Sequence, residues 1–180
     1  MYGIVNKFIS HTVISRYGEE QWEKVKLKLT FETEEFVDLQ PYSDDVTFGI
    51  VTAAVNELNL DPALFLEELG YDWVLQTAQG SYKEMYSLVS GGIYEFIENL
   101  NNMHQLISAQ LTELIPPTFV ADRDQQGTIT LKYFSERDGL DAFVIGLLKG
   151  LCTHFNEPGV VELISAKGEQ QAYSVFRIRF

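Results

Sequence analysis

Two adjacent prolines, Pro116 and Pro117, divide this 180-residue chain into two regimes. Neither can donate a helical hydrogen bond, so no helix runs through them. Before them the apolar residues recur with a helical period, and after them they alternate with a period of two. That switch constrains the fold more than any other feature of the chain. It favours helices first and a sheet later, an α+β arrangement rather than a doubly wound sheet.

Upstream, Val5, Phe8, Ile9, Thr12, Val13 and Arg16 predict a helix that Tyr17-Gly18 ends. Helix resumes from Glu19 to Leu29, with Trp22, Val25 and Leu29 on one face. Ser43-Asp44-Asp45 offers N-cap chemistry to a helix striped by Phe48, Val51, Val55 and Leu58. Asp61-Pro62 opens a short helix expected to close at Gly70, followed by one or two amphipathic turns over Tyr71 to Ala78. A long helix is predicted from about Gly92 to Leu114. Downstream, Thr118 to Asp122 and Thr128 to Ser135 read as strands joined by the turn Asp124-Gln125-Gln126-Gly127. A helix from Leu140 to Phe155 follows, with Phe143, Leu147, Leu148 and Leu151 inward. Two last strands, Val160 to Ala166 and Ala172 to Phe180, flank a turn at Lys167-Gly168-Glu169.

Hydrophobic residues make up 46% of the chain, enough for a sizeable core and too many for a disordered acidic tail. Against 13 Lys and Arg stand 26 Asp and Glu, a formal charge of -13. Such a surface repels phosphate backbones and anionic lipid, so neither nucleic acid nor a membrane is an expected partner. One Cys excludes an intramolecular disulfide and a Cys-rich zinc site, and three His leave little room for a His cluster. No apolar run reaches about 18 residues, and MYGIVNKF lacks a signal-peptide layout, so a cytoplasmic location is expected.

No G-x-G-x-x-G, P-loop, G-x-S-x-G or H-E-x-x-H motif is present, and no catalytic residue is assigned. The carboxylate pairs Glu19-Glu20, Glu34-Glu35 and Glu67-Glu68 read as solvated surface. Two other features stand out. His104 falls inside an apolar helical stripe formed by Phe96, Ile97, Leu100, Ile107 and Leu111. A histidine there is either a satisfied core side chain or a metal ligand. His11 and His154 also lie on helices, so periodicity does not single out His104. In Tyr133-Phe134-Ser135-Glu136-Arg137, residues two apart share a face. An apolar strand face, Ile129 and Leu131, therefore ends in a phenol, a hydroxyl and a guanidinium. Those donors suit a carboxylate or phosphate at the rim of an apolar pocket. Alternatively, the strand simply surfaces there.

The start Met1-Tyr2-Gly3-Ile4-Val5-Asn6, Tyr42-Ser43-Asp44-Asp45, His104, Pro116-Pro117 and Tyr133-x-Ser135-x-Arg137 before Gly139-Leu140 occur in that order. Together they closely resemble the haem nitric oxide/oxygen-binding (H-NOX) domain of soluble guanylate cyclase β subunits and bacterial sensors. YFSERDGL with VIGLLKG looks like the cyclase-type and cyanobacterial members. The resemblance spans essentially the whole chain. It implies one domain, with about 1–65 as a distal helical part and about 66–180 as a proximal part carrying a mostly antiparallel four-stranded sheet, and haem b between the two.

It further implies that His104 is the proximal iron ligand and that Tyr133, Ser135 and Arg137 hold the propionates. Met1, Val5, Leu100, Pro117 and Leu147 would face the porphyrin. Trp73, Val74 and Phe143 would line the distal side, where Trp73 either fills space or donates its indole N–H. Oxygen-holding members resemble one another in a distal tyrosine. The matching position here is Phe143, or Ala142 with a one-residue shift, and neither has a hydroxyl to donate. A non-enzymatic sensor of nitric oxide, also binding carbon monoxide, is therefore expected, signalling through a weakened iron–His104 bond. Its output would go to a separate protein such as a histidine kinase or a cyclic-nucleotide enzyme. The same residues would equally form the sensor end of a longer cyclase. Other classes remain. An oxygen-binding or peroxidase-like haem protein is disfavoured because no motif places a second His or Arg distally. A haem-free binder of an apolar carboxylate would use the same clamp. Cys152 reads as a small buried apolar side chain, with a nitrosated regulatory thiol as the other reading.

Overall fold

The computed structural model describes residues 1–31, 36–80, 82–87 and 89–180; the Glu34-Glu35 pair lies outside them. The chain forms two compact units, one of Met1–Phe65 with Leu111–Leu114, the other of Leu66–Gln110 with Ile115–Phe180.

The first unit is helical: α1 (Gly3–Tyr17), α2 (Glu19–Lys26), α3 (Asp44–Leu58) and the first residues of α4 (Pro62–Gln79). Gly18, at φ 94°, ends α1 in a backbone conformation that a side chain would strain. α2 stops at Lys26, three residues before the predicted Leu29. Ser43 sits at the N-cap of α3, but no side-chain cap bond forms there. The Met1 ammonium instead pairs with Asp44 in the first turn at 2.8 Å. The buried face of α3 also differs from the predicted bulky stripe. It is made of Thr47, Ile50, Ala53 and Ala54, with Phe48, Val51, Val55 and Leu58 half-buried. Small residues allow close approach, and Thr47 donates to the buried Asn6 Oδ1 at 2.6 Å.

The second unit holds the rest of α4, a short α5 (Lys83–Ser87) that the periodicity does not reveal, α6 (Ile93–Ser108) and α7 (Asp141–His154). Its antiparallel sheet has the order β1-β2-β4-β3, with β1 (Thr118–Arg123), β2 (Ile129–Phe134), β3 (Val160–Ser165) and β4 (Ser174–Arg179). The α+β expectation holds, and all four strands lie where the period of two put them. Asp124 makes the β1–β2 turn by accepting from Gln126 N and Thr128 N, both at 2.9 Å. Ile129, Leu131 and Tyr133 of β2, with Phe176 and Ile178 of β4, point into the core. There they meet Ile93, Phe96 and Ile97 of α6 and Val144, Leu148 and Leu151 of α7. Phe143 and Leu147, expected inward, are half-buried.

Two further helix boundaries need correction. α4 runs unbroken through Gly70, which serves packing rather than termination. A Cβ there would lie 2.1 Å from the Phe143 carbonyl oxygen of α7. Gly146 answers from the other side, where a Cβ would meet the Glu67 carbonyl oxygen at 1.9 Å. The long helix ends at Ser108, not Leu114: Gln110 N bonds back to the Ile107 carbonyl at 3.0 Å in a tighter turn. Leu111–Leu114 then belongs to the first unit, where Glu113 N donates to the Tyr2 hydroxyl at 3.3 Å.

Candidate functional site

α6 begins with Glu95 reaching back to its N-cap, where Gly92 N donates to Glu95 Oε2 at 2.9 Å. Ile93 N donates to Glu157 Oε1, from the loop after α7, at 3.2 Å. Three turns on, α6 presents His104 toward β1. The imidazole lies 6.0 Å, centroid to centroid, from the Phe119 ring. Phe119 stands opposite Tyr133 in the β1–β2 register, with their rings 5.5 Å apart. A continuous row of rings thus leads from the helix histidine to the strand carrying the polar motif.

His104 Nδ1 is buried and has no hydrogen-bond partner among the described residues. Burial pushes the imidazole pKa below its ordinary value, and the Pro117 carbonyl opposes that shift without bonding Nδ1. The ring is therefore neutral near pH 7, the form that offers a lone pair to a metal. A histidine satisfied by the core, the other reading of the sequence, would have both nitrogens partnered.

At the far end of the row, the alternation of β2 carries past the strand: Tyr133 is buried, Ser135 half-buried, Glu136 exposed and Arg137 half-buried. Burial pushes the Tyr133 hydroxyl pKa up; its hydrogen bond with Ser135 and the cations Arg137 and Lys167 act the other way. Tyr133 stays a donor. The Ser135 hydroxyl also accepts from Arg137 N at 3.1 Å, folding the segment so that three donors cluster. Arg137 Nη1 donates to the Ile115 carbonyl, just before the double proline, at 2.9 Å.

Two further side chains that the sequence did not single out bond to this row, one at the polar cluster and one at Phe119. Lys167, from the β3–β4 turn, donates through Nζ to the Ser135 carbonyl at 2.9 Å and pairs with Asp138 at 2.8 Å. Asn101 of α6 bonds the backbone of Phe119. Lys167 is distant in sequence, and a turn lysine ordinarily faces water. Asn101 carries a weak signal: asparagine is a poor interior helix former.

The other expected site residues fall as follows. Leu100 and Leu147 are half-buried against the core of the second unit, and Val74 is buried within it. A Cβ on Gly150 would lie 2.8 Å from Val74 Cβ, so Val74 packs at the α4–α7 seam. Trp73 is half-buried on α4, and its carbonyl accepts from Thr77. Phe143 is on α7, beside that seam. Met1 and Val5 belong to the first unit. That unit also contains a cavity of about 830 Å³, lined by Phe31, Val46, Phe48 and Thr52 among others, which gathers none of these residues. Among the described residues no group of three or more His, Cys, Asp and Glu could hold a metal ion. No described helix is long and apolar enough to cross a membrane.

This donor set fits a haem, which needs one protein imidazole, supplies four nitrogens itself and presents two carboxylates to a polar rim. The fold joins a helical part to an antiparallel sheet, and the candidate residues offer one buried imidazole and a polar rim. A family model for haem-NO-binding domains matches residues 2–163, and the chain belongs to that family, the haem-based gas sensors known as H-NOX domains.

Soluble guanylate cyclase gcy-35 of Caenorhabditis elegans is 25% identical over 174 residues, covering 94% of this chain and 25% of the cyclase. For gcy-37 of the same organism the values are 29% over 152 residues, 83% and 22%. The chain thus spans about a quarter of the length of these curated relatives. An H-NOX protein from S. oneidensis in the Fe(II)NO ligation state superposes with a TM-score of 0.81 at 18% identity, covering 99% of this chain and 98% of that one. The Fe(II) unliganded H-NOX protein from K. algicida gives 0.83 at 19%, covering 99% and 96%. At such identities the superpositions show the fold.

Proposed function

We propose that the chain senses nitric oxide, and also binds carbon monoxide, through a haem b held by His104, Tyr133, Ser135 and Arg137. The observation carrying this reading is the buried, unpartnered nitrogen of His104 at one end of a ring row whose other end is the Tyr133-Ser135-Arg137 clamp. When bound, a haem would supply a ferrous iron able to take a diatomic gas, with His104 as the protein ligand whose hold on the iron nitric oxide would weaken.

The chain's residues set the selectivity and the output. Where oxygen-holding family members resemble one another in a tyrosine, this chain has Phe143, which donates no hydrogen bond to a polar ligand. Leu100, Pro117 and Leu147, together with Met1 and Val5, supply apolar contact in this reading, and Trp73 and Val74 shape the gas side. Release of His104 alters the load on α6, and an effector that distinguishes the two positions of that helix reads the signal. The cyclase relatives support a cyclic-nucleotide enzyme as that effector, either in a longer chain or as a separate protein; a histidine kinase fills the same role. The chain itself acts as a sensor, not an enzyme, in a cytoplasmic setting.

The test is the absorption spectrum of reduced, haem-supplied protein before and after nitric oxide and in air. A ferrous haem spectrum that changes with nitric oxide and forms no lasting oxygen complex is expected. His104→Gly should retain haem only with added imidazole. A protein that cannot be loaded ends the haem reading, and a stable oxygen complex ends the selectivity.

A further inference from the structure

The sheet has two faces, and the candidate site uses one. Ile129, Leu131 and Tyr133 of β2 and Phe176 and Ile178 of β4 turn inward to α6 and α7, so the residues between them turn the other way. On these two central strands the outward side chains are Thr130, Lys132 and Phe134 of β2 and, from just before β4 onward, Tyr173, Val175 and Arg177. They include two cations and no carboxylate. Arg179, the next outward residue of β4, is already paired with Glu162 of β3 at 2.7 Å.

Lys132 and Arg177 form no ion pair among the described residues. Lys132 faces Val175 and Thr130 faces Arg177 in the β2–β4 register, which makes the two cations diagonal neighbours. Diagonal positions lie about 7–8 Å apart, where like charges repel. Asp122 of β1 stands one diagonal from Lys132 on the other side without pairing with it. A chain with 26 Asp and Glu against 13 Lys and Arg thus leaves two adjacent cations bare. The acids are concentrated elsewhere: residues 1–117 hold 18 of them against 6 cations, and residues 118–180 hold 8 against 7. Repulsion from distant charges fades within a Debye length of about 8–10 Å near physiological salt, so the local cations govern what approaches this face.

Around the cations the face is apolar. Val120, opposite Lys132 on β1, is 51% exposed, and Val160 of β3 is 59% exposed. The Phe134 and Tyr173 rings meet at 4.8 Å, and Lys132 Nζ lies 5.4 Å from the Tyr173 centroid. A sheet face offers breadth rather than a cavity, and the element that suits it is a helix, as α6 and α7 cover the inner side. Carboxylates one turn apart on a helix lie about 5–6 Å from each other at Cβ, close to the spacing of the two cations.

The geometry points to the outward sheet face as a docking surface for a partner protein's amphipathic helix, with its apolar side on Val120 and Val175 and two carboxylates one turn apart on Lys132 and Arg177. This surface is separate from the haem reading and does not depend on it.

The probe is a synthetic helical peptide with leucine along one side and glutamate at positions i and i+4 beside it, compared with the same peptide carrying lysine at those positions. In NMR titrations of the full chain, the glutamate peptide should shift amides of β2 and β4, those of Lys132 and Arg177 among them, and the lysine peptide should not. Lys132→Glu with Arg177→Glu should weaken the glutamate peptide roughly tenfold or more, as loss of charge complementarity implies. If that variant fails to fold, Lys132→Gln with Arg177→Gln must still weaken it roughly threefold or more, the usual worth of two exposed charge pairs. No binding of the glutamate peptide, shifts on another surface, or affinity unchanged in a folded double variant overturns the inference. Displacement of the peptide by a DNA oligonucleotide or by phosphatidylserine vesicles overturns it too, since the face then binds polyanions in general. None of these outcomes touches the haem reading.

Discussion

At the scale of single residues, what a side chain can do here follows from burial as much as from its own chemistry. Cys152 is the plainest case. It is buried on α7, and burial is the largest influence on its thiol, pushing the pKa above the ordinary value. A bond from the Gly159 backbone opposes this and Glu157 adds to it. Thiols react as thiolates, so a raised pKa slows the reaction. At pH 8 an aromatic disulfide reagent should label native protein more slowly than urea-unfolded protein, because the buried thiol is less accessible and its raised pKa lowers the thiolate population. The sign extends to stability. A thiol whose pKa is raised by folding stabilises the fold below its unfolded pKa and loses that contribution as pH rises through the folded value. Equal labelling of native and unfolded protein would reopen a regulatory role for Cys152. The residues of the candidate site divide on the same principle. His104, Tyr133, Ser135 and Arg137 were legible because a polar group breaking an apolar period is visible in a linear sequence. Asn101 and Lys167 were not, because their partners lie 18 and 32 residues away along the chain.

At the scale of elements, the sequence showed where regular structure exists better than where it ends. Strands announced themselves by alternation and by the turns between them. Helix ends depended on contacts that no local pattern encodes: Gly70 reads as a stop and is a crossing point. The α4–α7 seam is built on Gly70, Gly146 and Gly150, with the Glu67 carbonyl against Gly146 and Val74 against Gly150. Lys149 Nζ reaches Glu67 across it at 2.6 Å, and the Tyr71 hydroxyl donates to Thr153 at 3.3 Å. Small residues four apart let two helix backbones come together, and a methyl group at the tightest point has nowhere to go. Gly146→Ala would place a Cβ 1.9 Å from a backbone oxygen, which cannot rotate aside as a side chain could. Despite alanine's better helix propensity, the variant should lose about 1–3 kcal/mol in urea unfolding, the usual cost of overpacking. A neutral or stabilising result would mean that the helices separate freely, and that Phe143 on α7 is less firmly placed than the seam suggests.

At the scale of the whole molecule, charge and site pull in opposite directions. A chain of net charge -13 repels any ligand bearing two carboxylates, so retention must come from local cations rather than from the overall field. The second unit supplies them at one corner: Arg137, braced on Ile115, and Lys167, braced on Ser135. These two contributions respond differently to salt. Long-range repulsion between exposed charges is screened once the Debye length falls well below molecular dimensions, to about 3 Å at 1 M. A half-buried guanidinium gripping a carboxylate is screened much less. In Arg137→Ala the clamp loses its strongest donor while the repulsion remains. Haem transfer to an acceptor apoprotein should then run roughly tenfold to a hundredfold faster than from wild type at low salt, the usual worth of a hydrogen bond to a charged group. Added salt should slow that transfer in the variant, because Lys167 alone offsets less of the repulsion being screened, and change wild type less. Transfer that accelerates with salt in both proteins would show that general positive potential, not Arg137, retains the cofactor.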